Sequence, residues 1–243
     1  MQEFELKKQE YDYRTKESFK TLRTNIEFSG EDIKVVGITS AAPNEGKSSI
    51  SFELARSFAQ AGKKTLLIDV DLRKSVMRNR YKRGNVRYGM TNALVGKKSF
   101  DDVICMTDEP NFYMAFAGLV PPNPSELLGS NNFKKIVEQA RRDFDMVIID
   151  TPPIGAVIDA AIVSKLCDGM VLVMKQGAIS YRFARKIKEQ LDTANAKIIG
   201  CVLNMVEISG KGYYGKHYGR YYGKYYGKYY GNYYGQEDDK QEK

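Results

Sequence analysis

The chain has no tryptophan, one histidine and three cysteines among 243 residues. The lone histidine, His217, removes paired-histidine catalysis and the common zinc ligand sets from consideration. Cys105, Cys167 and Cys201 are far apart, with no metal-ligand spacing and no even-numbered disulfide framework, so a reducing cytoplasm is expected. No apolar run approaches the roughly 18 to 20 residues of a membrane span, and the opening MQEFELKKQE is too polar for a signal peptide. Acidic residues are outnumbered, leaving a net charge of +8, with one basic cluster from Arg73 to Arg87. Such an excess serves solubility or attraction to an acidic partner, a membrane surface or nucleic acid.

Aliphatic residues are missing from Tyr213 to Gly235, which runs YYGKHYGRYYGKYYGKYYGNYYG. This four-residue repeat holds eleven of the seventeen tyrosines: Tyr213, Tyr214, Tyr218, Tyr221, Tyr222, Tyr225, Tyr226, Tyr229, Tyr230, Tyr233 and Tyr234. A repeat of that composition buries too little apolar surface to offset the entropy of ordering it. The expectation is a folded domain over residues 1–208 and a flexible, disordered tail over 209–243 with exposed phenols.

Residues 1–15 have the composition of a loose or extended arm, and helical spacing begins at Glu17 and runs to Phe28. Short apolar strands then alternate with helices: KVVGIT at 34–39, a helix over 46–61, KTLLIDVD at 64–71, a possible strand at 111–117, a helix over 132–142, DMVIID at 145–150, GMVLVM at 169–174, a helix over 180–193 and a last strand at 197–205. The stretch 75–110 is irregular apart from a short helix near Thr91–Val95. Apolar strands separated by helices imply an α/β fold, a mostly parallel sheet covered by helices on both faces.

Ala41-Ala42-Pro43-Asn44-Glu45-Gly46-Lys47-Ser48 has the P-loop layout between a strand and a helix. Backbone N–H groups of such a loop and of the following helix wrap a phosphate, and the stretch that would line it here is Ala42 through Ser49. Lys47 would reach the β/γ-phosphates of ATP, and the Ser48 hydroxyl would sit on Mg²⁺. The first glycine of the motif is replaced by Ala41, while Gly46 is intact. Asp69, Asp71 and Asp150 end two strands, where ligands gather in a parallel sheet. Asp71 and Asp150 are candidates for Mg²⁺ with Ser48, and Asp69 for orienting or deprotonating an incoming hydroxyl.

Taken together, SAAPNEGKSS at 40–49, LLIDVDLR at 66–73, PPNPSELL at 121–128, VIIDTPP at 147–153 and the tyrosine cluster resemble the bacterial tyrosine kinases of capsular and exopolysaccharide synthesis. The resemblance spans nearly everything from residue 15 onward. It implies a cytoplasmic P-loop kinase that phosphorylates its own tail tyrosines, with Lys47, Asp69, Asp71 and Asp150 catalytic. It further implies an oligomerisation helix at about 15–29 carrying an E-x-x-R-x-x-R pattern, here Glu17, Lys20 and Arg23. Lysine at the middle position keeps the charge but not bidentate pairing. The family forms rings, octamers among them, in which each tail enters a neighbour's site. A separate membrane protein activates it at the inner face of the cell membrane. Asn204 matches an adenine-contacting asparagine of related folds, or is a strand-end turn residue. Arg73 would contact phosphate or acceptor, or form an exposed salt bridge.

Two other readings fit parts of the chain. A partitioning or division-site ATPase shares the fold, but its signature lysine would stand where Ala42 is. A nucleic-acid-binding module would use the basic, aromatic tail for stacking, yet leaves the nucleotide site without a purpose. Nucleic acid is therefore not an expected partner.

Overall fold

The computed structural model describes residues 2–7, 10–83 and 85–207. The strands are β1 (Gln2–Leu6), β2 (Val35–Ser40), β3 (Thr65–Asp69), β4 (Lys82–Arg83), β5 (Cys105–Thr107), β6 (Phe112–Ala115), β7 (Met146–Asp150), β8 (Gly169–Lys175) and β9 (Ile198–Asn204). The helices are α1 (Tyr13–Phe28), α2 (Lys47–Gln60), α3 (Met77–Tyr81), α4 (Met90–Leu94), α5 (Phe100–Val103), α6 (Pro124–Leu128), α7 (Asn131–Asp143), α8 (Asp159–Ser164) and α9 (Tyr181–Thr193). One sheet runs β4-β1-β5-β6-β3-β7-β2-β8-β9. From β6 to β9 every pairing is parallel, and the antiparallel pairs are β1 with β4 and β5 with β6.

Residue parity shows why the strands read as unbroken apolar runs. Val36, Ile38, Leu67 and Ile148 pack with Phe52, Ala55 and Phe58 of α2 on one face. Their neighbours Val35, Leu66, Ile68, Val147 and Ile149 pack with Phe133, Val137 and Ala140 of α7 on the other. Every residue of β2, β3 and β7 is buried, as a sheet covered on both faces requires.

The expected loose arm at residues 1–15 is corrected. Gln2–Leu6 forms β1, inserted between β4 and β5, because Phe4 and Leu6 alternate inward and Phe4 meets Phe116 edge-on at 5.2 Å. Helix α1 starts at Tyr13, four residues before the spacing predicts, because the Asp12 carboxylate accepts the Thr15 N–H at 2.7 Å as an N-cap. The irregular stretch 75–110 holds α3, β4, α4, α5 and β5, elements of two to five residues that leave no periodicity in sequence. Backbone proximity separates a compact unit, Met1–Asn204, from Met205–Lys243. The eleven tail tyrosines and the whole of the expected tail, 209–243, lie outside the described residues.

Candidate active site

Three parallel strands deliver the site. β2 ends at Ser40 and runs into the phosphate loop, β3 ends at Asp69, and β7 ends at Asp150. Asp69 and Asp150 are register partners on adjacent strands, so the sheet itself sets their carboxylates side by side.

The loop turns twice through left-handed backbone, at Asn44 (φ 64°) and Gly46 (φ 89°). Gly46 suits such a conformation, and Asn44 is the non-glycine residue type that best tolerates it. Ala41 has no positive φ, so the missing first glycine strains nothing there. Glu45 pins the loop from inside: its carboxylate accepts the N–H groups of Ala42 at 2.7 Å and Lys175 at 3.3 Å. Its carbonyl accepts the Asn204 amide at 2.9 Å, so that asparagine braces the loop from the end of β9. Gly155 passes so close beneath that a Cβ there would lie 2.1 Å from the Ala41 carbonyl oxygen. Gly46 caps α2, whose first N–H groups have no intrahelical acceptor and face the loop.

Lys47, the first residue of α2, reaches Asp71 at 3.1 Å, Asp150 at 3.3 Å and Ser48 Oγ at 3.2 Å. Ser48 donates to Asp150 Oδ2 at 2.7 Å. Asp69 Oδ1 accepts the Asp71 N–H at 3.1 Å, Asp69 Oδ2 accepts the Ser75 hydroxyl, and Asp71 Oδ1 accepts the Lys74 N–H at 3.0 Å. Lys47, Ser48, Asp69, Asp71 and Asp150 thus converge as expected, all buried. Burial pushes the Asp69 carboxyl up to about 7, aided by Asp150 and opposed by the Ser75 hydrogen bond and Lys47. Burial works against the Lys47 ammonium, but Asp150, Asp71 and Asp69 outweigh it and hold its pKa above the ordinary value.

Two groups of this site carry no sequence signal of their own. Ser51 donates to Asp150 Oδ1 at 2.8 Å; its only advance sign is its place one turn after Lys47. Asp159 is fully buried and takes Arg73 in a two-point pair, at 2.8 and 3.0 Å. Arg73 is therefore a salt-bridge partner. In α1, Glu17 and Lys20 pair with each other at 2.7 Å. Arg23 turns inward to the Ser57 carbonyl of α2 at 2.8 Å, leaving its Nε buried without an acceptor.

The arrangement fits an ATP phosphate chain and a magnesium ion. Its ligating atoms are oxygens, those of Ser48, Asp71 and Asp150. Magnesium takes oxygen ligands, one or two carboxylates with the remaining positions left to phosphate and water.

Residues 33–198 match the family described as AAA domain. Over 206 residues the chain is 46% identical to the tyrosine-protein kinase CpsD of Streptococcus agalactiae, covering 84% of this chain and 90% of that protein. It is 43% identical to the tyrosine-protein kinase YwqD of Bacillus subtilis, covering 82% and 86%. This chain belongs to the bacterial tyrosine kinases. The chimerical protein CapA2B2 superposes with a TM-score of 0.73 at 34% identity, over 78% of this chain and 84% of that one. As a tyrosine kinase of this family, the protein binds ATP at its P-loop. Among the described residues, no helix is long and apolar enough to cross a membrane.

Proposed function

We propose that this kinase transfers the γ-phosphoryl group of ATP to tail tyrosines of a neighbouring subunit. The observation that supports this best is the convergence of Lys47, Ser48, Asp71 and Asp150 in a chain that continues, nine residues past Asn204, into eleven phenols. In this reading residues 1–208 are the catalytic domain and 209–243 the tethered substrate.

Phosphoryl transfer calls for positioning and charge neutralisation more than covalent help. Ser48, Asp71 and Asp150 would hold Mg²⁺, which when bound neutralises charge on the phosphates. Lys47 keeps its proton and supplies a fixed positive charge to the transferring group and the leaving oxygen. Residues Ala42 to Ser49 cradle the phosphates, and Asn204 keeps the loop in place beside the base. Asp69 accepts the phenolic proton: a free phenol has a pKa near ~10, and a carboxylate titrating near 7 is a better base for it than an ordinary one. Ser51 and Ser75 hold the carboxylates of Asp150 and Asp69 in place.

The kinase would work as a ring, an octamer in our reading, built through α1 with Glu17, Lys20 and Arg23. A membrane protein would activate it at the inner face of the membrane, and its phosphorylation cycle would regulate capsular or exopolysaccharide synthesis and export. The test is mass spectrometry of the tail after incubation with Mg·ATP and an activating fragment, comparing the wild type with Lys47→Met. Phosphate on tail tyrosines of the wild type alone is expected. ATP hydrolysis with an unmodified tail would overturn the reading in favour of a partitioning-type ATPase.

A further inference from the structure

We propose that the Glu45 carboxylate is a fixed negative charge that lowers the affinity of the phosphate loop for nucleotide and speeds the release of ADP. The proposal rests on Ala42 to Ser49 holding the phosphates and adds what limits the strength of that hold.

Glu45 belongs to a loop that wraps a polyanion, yet it is itself an acid and only 1% exposed. The other acids of the site have a cation or a hydroxyl as partner. Asp71 and Asp150 share Lys47 at 3.1 and 3.3 Å, and Asp69 accepts the Ser75 hydroxyl. The partners of the Glu45 carboxylate are backbone N–H groups, Ala42 on one oxygen and Lys175 on the other. Among the described residues Glu45 takes part in no ion pair. A magnesium ion on Ser48, Asp71 and Asp150 would neutralise the two aspartates. Glu45 stands outside that set, and no side-chain cation offsets it.

The carboxylate is also held where it is. Glu45 lies between two residues in left-handed backbone, Asn44 and Gly46. Its carbonyl accepts the Asn204 amide at 2.9 Å, and its two oxygens are fixed by the start of the loop and the end of β8. Buried acids are rare without a paired cation, and this one sits in the loop where an anion has to dock. Like charges repel strongly at that depth, because little water screens them.

Removing the charge separates two roles of this side chain by sign. As a brace alone, Glu45 would keep the loop in its binding form. A glutamine could then satisfy one of the two N–H groups but would turn its own NH2 on the other, and nucleotide would bind more weakly. As a fixed charge, its loss makes nucleotide bind more tightly, and more so the more phosphates the ligand carries.

The test titrates the full chain and its Glu45→Gln and Glu45→Met variants with ADP, AMP and adenosine in EDTA, by calorimetry. Release of a fluorescent ADP is timed by stopped flow. Both neutral variants should bind ADP about tenfold more tightly, gain less for AMP and nothing for adenosine, and release ADP about tenfold more slowly. Thermal unfolding identifies the folded variants, and either one alone gives the result. ADP affinity in a folded variant that equals or falls below that of the unsubstituted chain would overturn the proposal. So would an equal gain for adenosine, which would put the change in loop shape. If the unsubstituted chain bound no ADP, the phosphate-loop reading would fail and the fixed charge with it. Equal affinities in chains that all bind ADP would sink the fixed charge alone.

Discussion

Helix α2 serves two acid clusters, and they make an instructive pair. Its first turn presents Lys47, Ser48 and Ser51 to Asp150 and Asp71. Its later turns present Glu53, Arg56 and Gln60 to Glu109, with Arg56 at 2.5 Å and Gln60 at 2.6 Å. Each cluster has one acid that burial pushes to about 7, Asp69 in the first and Glu53 in the second. A perturbed carboxyl therefore does not mark the active site in this molecule. What separates the clusters is surroundings. The first lies at the carboxyl ends of parallel strands, under a phosphate loop and a helix N-terminus. The second fastens α2 to the β5–β6 connection and to Tyr11.

The largest expected contrast comes from removing each cluster's cation. Lys47→Met should lower tail phosphorylation by about a thousandfold or more, whereas Arg56→Met should leave kcat within about twofold and cost only stability. Initial rates of phosphotyrosine formation measure both, and a large kcat loss in Arg56→Met would erase the distinction.

Gly155→Ala breaks the catalytic end without touching a charge. The added Cβ meets the Ala41 carbonyl and forces the phosphate loop aside. The cost should be about 3 kcal/mol of unfolding free energy, with ATP affinity lost in parallel. Denaturant unfolding and nucleotide titration report the two effects, and an unmoved ATP affinity would mean that the loop yields freely.

Glu53→Gln sharpens the comparison through pH. Burial raises the Glu53 carboxyl from its ordinary 4.5 to about 7, with Glu109 adding to this and Arg56 opposing it. Ionising it in the fold then costs free energy. That cost is nil below the unfolded value, grows as pH rises toward 7, and is constant above. Glu53→Gln should therefore stabilise the protein at pH 8 by about 2 kcal/mol and change little at pH 4.5. Thermal unfolding at the two pH values checks the sign.

The smallest effect is at Ser51. Ser51→Ala removes one of two hydroxyls on Asp150 and should reduce kcat about tenfold while KM for ATP stays put. A change confined to KM would place Ser51 in nucleotide binding.

How much of this was legible beforehand follows from the kind of signal each part leaves. The phosphate loop, Asp69, Asp71 and Asp150 stood out because strand ends and the Gly46-Lys47-Ser48 run are local patterns. The same holds for the central sheet, whose strands are buried on both faces. β1 was missed because two inward side chains, Phe4 and Leu6, are too few to show alternation. Ser51 and Asp159 were missed because their partners are side chains brought near only by folding. The Ser51 and Asp159 contacts span 99 and 86 residues. Arg73 allowed several roles in sequence, and its pairing with a fully buried Asp159 is a contact only the fold reveals.

The pairing of Asp69 with Asp150 across β3 and β7 has a wider consequence. The spacing of these two acids is a repeat distance of the sheet, as a tooth spacing is a property of a gear. Loops at this end could be lengthened, shortened or exchanged for new acceptors, and the chemical ruler beneath them would keep the same gauge.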